Sequence, residues 1–208
     1  MAWNDDLSHW HSFLSTFIKD ILNNMIIRKE DVIMKSNFKK AIINSLFIGI
    51  GLILHQIAPP LLLGMKPDLS LTMMFIIILI NDDYRTTLLS GIVCGILTAL
   101  TTTFPGGQIP NVIDKIVTAH LIYLMLLPLR NRVNNQIKTI LVTSIGTIIS
   151  GAIFLGSAAI LAGLPGSFSA LFLGIVLPAT LVNTIVAPIL YNAINLSIKR
   201  SHVKIFEQ

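Results

Sequence analysis

The sequence predicts an all-α polytopic membrane protein, a bundle of six transmembrane helices with both termini in the cytoplasm. Three observations lead there. The 208-residue chain is 53% hydrophobic and 12% charged, about half the charged share of a soluble domain, and its mean hydropathy is +0.78. Its apolar residues are gathered into long segments, and its basic residues cluster beside alternate connections between them.

Six apolar segments follow Met34. The first runs from about Ala41 to Ala58, the second from Leu69 to Ile80, the third from Thr86 to Phe104. The fourth runs from about Val112 to Leu129, the fifth from Ile137 to Ala162, the sixth from Phe168 to Leu196. A spanning helix needs about 20 residues, so the second and fourth segments fall short on apolarity alone, and the second is short unless its polar flanks also enter the membrane. Helices are expected because lipid offers no partners for backbone N–H and C=O groups.

Charge orients the bundle. Lys35, Lys39, Lys40, Arg85, Arg130, Arg132, Lys138, Lys199, Arg200 and Lys204 all fall on one side if the spans alternate; Lys66 and Lys115 fall on the other. The positive-inside rule makes the richer side cytoplasmic. Residues 1–33 differ in character. Leu7, Trp10, Leu14, Phe17, Ile21 and Met25 recur at helical spacing, the pattern of an amphipathic helix lying on a membrane or on a partner. A competing reading makes this segment an artefact of start-site assignment, because Met34-Lys-Ser-Asn-Phe-Lys-Lys is itself a natural beginning. The six-helix domain is then 34–208.

Several function classes lack their signatures. Basic residues flank apolar runs without interleaved aromatics, so nucleic acid is not an expected partner. The single cysteine, Cys94, excludes an internal disulfide and a Cys-based metal site. No GxxxxGK[ST], HExxH or GxSxG occurs, and no cofactor or enzymatic activity is expected.

The unusual chemistry is on the outer side, where polar residues at a membrane are costly and often functional. PPLLLGMKPD, Pro59 to Asp68, holds Lys66 and Asp68; TTTFPGGQIPNVIDK, Thr101 to Lys115, holds Asp114 and Lys115. One reading is two local surface ion pairs. The other uses the charges separately, on an amino-acid zwitterion. Asp68 or Asp114 then takes the ammonium. Lys66, Lys115, Gln108 or the amides of Gly106 and Gly107 take the carboxylate, glycines allowing close backbone approach and successive N–H groups forming an anion nest. Pro105 and Pro110 disfavour helix in the residues before them, which predicts an irregular turn over Phe104 to Ile109 and a fourth helix capped by Asn111. Met65, Met73, Met74 and Phe104 lie nearby in sequence, apolar and adaptable enough for a flat ligand. His55, His120 and Asn183 read first as hydrogen-bonded packing residues. Ala41, Ser45 and Gly49 on the first helix, and Gly91, Gly95 and Ala99 on the third, recur every four residues, a spacing that permits close helix contact within the bundle or with a separate subunit.

GMKPDLSLTMMF (64–75), LTALTTTFPGGQIPNVIDK (97–115), LPGSFSALF (164–172) and LPATLVNT (177–184) closely resemble the bacterial tryptophan transport protein (TrpP) family. The likeness covers about Met34 to Arg200. It implies a six-helix protein of the bacterial plasma membrane that takes up tryptophan. The family is similar to the substrate-binding S components of energy-coupling factor (ECF) transporters, which bind substrate near the outer face and work with a membrane scaffold and paired ATPases. The resemblance then implies an indole among Met65, Met73, Met74 and Phe104, with Asn111 joining Asp68 and Asp114 as a candidate for the ammonium. It also implies scaffold contact through Ala41, Ser45 and Gly49, where Ser45 stands in place of the second alanine of the usual AxxxA. Two rivals remain: a stand-alone ion-coupled secondary transporter of an aromatic solute, and a non-transport assembly or sensor protein.

Overall fold

The computed structural model describes residues 37–59 and 66–200, together with Lys19. The chain divides into two compact units, Met1–Ile42 and Ile43–Gln208; the cavity and charges described below lie wholly in the second. Met65 and nearly all of the amphipathic segment before Met34 fall outside the described residues.

All regular structure among the described residues is helical. The helices are α1 (Asn37–Ile57), α2 (Leu69–Ile80), α3 (Tyr84–Thr101), α4 (Gln108–Leu126), α5 (Asn135–Leu161) and α6 (Phe168–Arg200). All but α2 are long and apolar enough to cross a membrane. Outward stripes of large aliphatics, such as Leu181, Ile185 and Ile189 on α6, suit contact with lipid tails.

At 1.5 Å per residue, the 12 residues of α2 extend about 18 Å, well under the ~30 Å hydrocarbon thickness. The bundle compensates by enclosing it: every residue from Ser70 to Ile78 is buried. Leu71, Met74, Phe75 and Ile78 pack with Cys94, Ala119, Ile122 and Val142 of α3, α4 and α5. Met73, Ile76 and Ile77 pack with Phe47 and Ile48 of α1 and Tyr191 and Ile194 of α6. Polar caps close both ends inside protein. Asp68 Oδ1 accepts from the Leu71 N–H at 3.0 Å, and buried Asn81 donates to Ile77 O at 2.8 Å and to Asn44 Oδ1 at 3.2 Å. Asp68 and Asn81 thus cap the two ends of α2 with side-chain hydrogen bonds.

The small stripe on α3 serves packing within the bundle. A Cβ on Gly91 would lie 2.8 Å from Ala119 Cβ and 3.0 Å from the Lys115 carbonyl oxygen, and one on Gly95 would lie 3.2 Å from Val112 Cα. Close approach to α4 therefore excludes larger side chains. Gly91→Leu is expected to cost about 1–3 kcal/mol through overpacking and to lower the thermal midpoint in detergent; an unchanged midpoint would show that α3 and α4 can separate freely. On α1 the stripe differs: Ala41 and Ser45 are exposed, and a Cβ on Gly49 would meet nothing within 4 Å.

The fourth helix begins earlier than its prolines suggest. It starts at Gln108 after Gly107, with no side-chain cap, and Asn111 lies inside the first turn with Nδ2 donating to Gly107 O at 2.8 Å. Pro110 falls among the first helical residues, whose N–H groups have no helical partner anyway, so its missing donor costs nothing. The irregular turn lies two residues earlier than expected, at 102–107. On α6, residues Phe172–Val176 form a π-helical turn. Pro178 follows it, lacking an N–H and crowding the carbonyl four residues back, which accounts for the widened turn.

The basic end is tied together by Arg130, which pairs with Asp82, lies 5.2 Å from the Tyr123 ring centroid, and accepts on its carbonyl from Lys138 Nζ at 2.9 Å. This joins the α2–α3 and α4–α5 connections.

Candidate functional site

At the opposite end, the last turns of α1 and α3, the C-terminal half of α5 and the N-terminal portions of α2, α4 and α6 surround a cavity of about 150 Å³. An engineered cavity of about that size in an apolar core admits a benzene ring. One wall is apolar. Phe104 and Phe154 meet edge to face with centroids 5.3 Å apart, a favoured aromatic arrangement, and Leu71, Leu155, Ile175 and Val176 extend the surface.

The other wall is charged. Lys115 Nζ lies 2.7 Å from Asp68 Oδ2 and 2.5 Å from Asp114 Oδ2. Both Lys115 and Asp114 are buried, and Asp68 is about one-fifth exposed. Asp114 is held further by Thr118 Oγ1 at 2.9 Å and Ser150 Oγ at 2.8 Å. Asp68 also accepts from Ser70 Oγ. Burial by itself would raise the Asp68 carboxyl, but the Lys115 ammonium, with His55 and Ser70, more than reverses this and holds it well below the usual carboxylate range. His55 Nδ1 bonds the Pro67 carbonyl at 3.0 Å and lies 3.9 Å from Asp68 Oδ1.

Two carboxyl groups share the single Lys115 ammonium, so acids outnumber bases in the cluster. Desolvated charge is costly unless matched, so this wall favours a cation at the partly open Asp68. Lys66 also lines the cavity, its Nζ donating to Gln56 O, and supplies a separate positive group near the mouth. No group of three or more His, Cys, Asp or Glu that could hold a metal occurs among the described residues.

The structure brings Lys66, Asp68, Phe104, Asn111, Asp114 and Lys115 to one cavity. Met73 and Met74 are fully packed on opposite faces of α2 and do not line it. Gly106, Gly107 and Gln108 stand outside the lining as well. Gly106 adopts φ 71°, a conformation natural only for glycine, and the Gly107 N–H bonds Phe104 O at 3.0 Å, so this pair forms the turn that carries Phe104 inward. Gln108 is exposed. Sequence reasoning passed over Thr147, Ser150, Gly151 and Phe154, which bring α5 into the lining. Their i, i+3, i+4, i+7 spacing, the first three small or polar within an apolar helix, was the available signal.

The family model described as "Tryptophan transporter TrpP" matches residues 37–199. The "Probable tryptophan transport protein" of Clostridium acetobutylicum is 55% identical over 166 residues, covering 80% of this chain and 97% of that one. Its namesake in Bacillus subtilis is 48% identical over 163 residues, covering 78% and 94%. The Clostridium perfringens protein of the same name is 44% identical over 177 residues, covering 81% and 97%. No solved structure matches the chain. With its apolar spanning helices and these bacterial relatives, the protein is a multi-pass protein of the bacterial plasma membrane. A match over most of its length, to the family model and to all three relatives, makes this chain a member of the TrpP tryptophan transporter family.

Proposed function

We propose that this protein takes up tryptophan, binding it in the cavity at the outer end of a six-span bundle whose termini are both cytoplasmic. The observation that carries the reading is the acid-rich Asp68–Lys115–Asp114 cluster opening onto an aromatic-walled cavity. The substrate ammonium sits against Asp68, backed by Asp114; its carboxylate meets Lys66 and the edge of Lys115; Phe104 and Phe154 flank the indole. Asn111, on the lining, orders the α4 start through Gly107. The orientation is supported by the basic cluster around Arg130 lying at the end remote from the cavity, and the enclosure of α2 makes six spans compatible with its length.

The same reading makes the protein the substrate-binding S component of an ATP-driven ECF-type transporter. Support comes from the outward small-residue line of α1, Ala41, Ser45 and Gly49, which gives a scaffold helix room to approach.

Titration of the purified protein with tryptophan is expected to show saturable binding, and Asp68→Asn to weaken it about tenfold or more, since a hydrogen bond between charged groups contributes ~1.5–3 kcal/mol. Absence of saturable binding by the wild type would exclude the transport reading. Copurification with ATPase subunits is expected for the ECF assignment, whereas ion-driven uptake into vesicles holding only this protein would replace it with a stand-alone transporter.

A further inference from the structure

One polar side chain in the cavity lining keeps a buried atom without a hydrogen-bond partner. Asn183 of α6 is fully buried and lines the cavity. Its Nδ2 donates to Thr147 Oγ1 at 3.4 Å, while its Oδ1 has no hydrogen-bond partner within the protein. Buried amide oxygens are almost always satisfied, and an orphan in a site demands an explanation.

Its place in the site supplies one. Thr147, which holds Asn183, and Ser150, which holds Asp114, are three residues apart on α5, so the two contacts are displaced by roughly 4.5 Å along that helix. Asn183 belongs to the inner level, further from the helix end than the charged cluster. On α6 itself the lining residues one to two turns nearer the helix start are Ala179, Val176 and Ile175, none of which offers a side-chain donor. The vacant acceptor therefore belongs to an apolar stretch of α6, at the inner level of the cavity. A complementary ligand carries an apolar ring with a single N–H donor, projecting inward from its charged head. The indole nitrogen is such a group: it donates and never accepts.

We infer that Asn183 Oδ1 accepts a hydrogen bond from the indole N–H, making Asn183, positioned by Thr147, the residue that selects an indole over other aromatic side chains. This rests on the proposed function and deepens it by assigning the determinant of specificity. A site built to accept one hydrogen bond discriminates strongly against an isostere lacking the donor, because the buried acceptor is left unpaired.

The test compares tryptophan with 3-benzothienylalanine, in which sulfur replaces the N–H without adding bulk, using calorimetric titration of the full-length protein. The wild type is expected to prefer tryptophan by about tenfold or more. In Asn183→Leu the two ligands should bind alike, tryptophan having lost its partner and the sulfur analogue no longer leaving a buried acceptor unpaired, so that the preference collapses. Equal binding of both ligands by the wild type, a comparison that needs no variant, would overturn the assignment and leave the transport reading standing. So would a preference that survives Asn183→Leu. Failure of the wild type to bind tryptophan at all would remove both.

Discussion

Lys115→Met is expected to produce the largest loss of stability of any single substitution around the cavity. The Lys115 ammonium lies within 2.7 Å of both Asp68 and Asp114, and its removal leaves two carboxylates facing each other in a site where Asp114 is almost wholly buried. Removing one partner of a buried ion pair costs about 3–5 kcal/mol, chiefly because the remaining charge is uncompensated. The hydrogen bonds from Thr118 and Ser150 to Asp114 reduce that cost without replacing the missing charge. The midpoint of thermal unfolding in detergent should fall sharply, and tryptophan binding should be lost with it. Adding Asp114→Asn removes one of the two facing carboxyl groups, so the double variant should melt above Lys115→Met alone. That recovery separates an electrostatic role from simple loss of packing by the lysine stem. A Lys115→Met protein that melts with the wild type would mean that water screens the two carboxylates, and the buried triad would have to be abandoned.

Much of this cluster was legible in the sequence because charge is rare in such a chain. Asp68, Asp114, Lys66 and Lys115 stood out as the charged residues of the outer connections, and their convergence needed only alternating helices. The same logic misplaced Met73 and Met74 relative to the cavity. They are close to Asp68 in sequence, but α2 is buried on every side, so its apolar pattern has no polar face to show which residues point where. Gly106 and Gly107 carried a true backbone signal whose effect is indirect, since the turn presents Phe104. The contribution of α5 was harder to see. Thr147 and Ser150 are ordinary residues for a membrane helix, where hydroxyls commonly bond the carbonyl a turn back, as Ser144 and Ser157 do here. Only the fold shows that Ser150 instead turns to Asp114 and Thr147 to Asn183. The early start of α4 was obscured by Pro110, whose usual veto on helix lapses in a first turn.

Enlarging Gly151 should close the cavity from its α5 side. A Cβ at this position would collide with Val176 Cγ1 and lie 2.7 Å from its Cγ2, well inside van der Waals contact. Val176 cannot easily retreat, because it is β-branched, with χ1 restricted, and ends the π-helical turn Phe172–Val176. It also packs with Leu155, Leu171 and Ile175. Both residues line the cavity, so relief of the clash by displacing α6 would move the apolar wall that the indole is proposed to contact. Gly151→Ala is therefore expected to lower the melting midpoint through an overpacking cost of about 1–3 kcal/mol and to weaken tryptophan binding by tenfold or more. Gly151→Leu, which adds bulk beyond the first carbon, should abolish measurable binding. Val176→Ala removes both methyl groups nearest the added carbon, and in the Gly151→Ala background it should restore most of the affinity. Recovery in the double variant would identify the Gly151–Val176 contact as the cause. Equal impairment with and without Val176→Ala would place the fault in α5 itself, and wild-type affinity in Gly151→Leu would show that the indole does not occupy this part of the cavity.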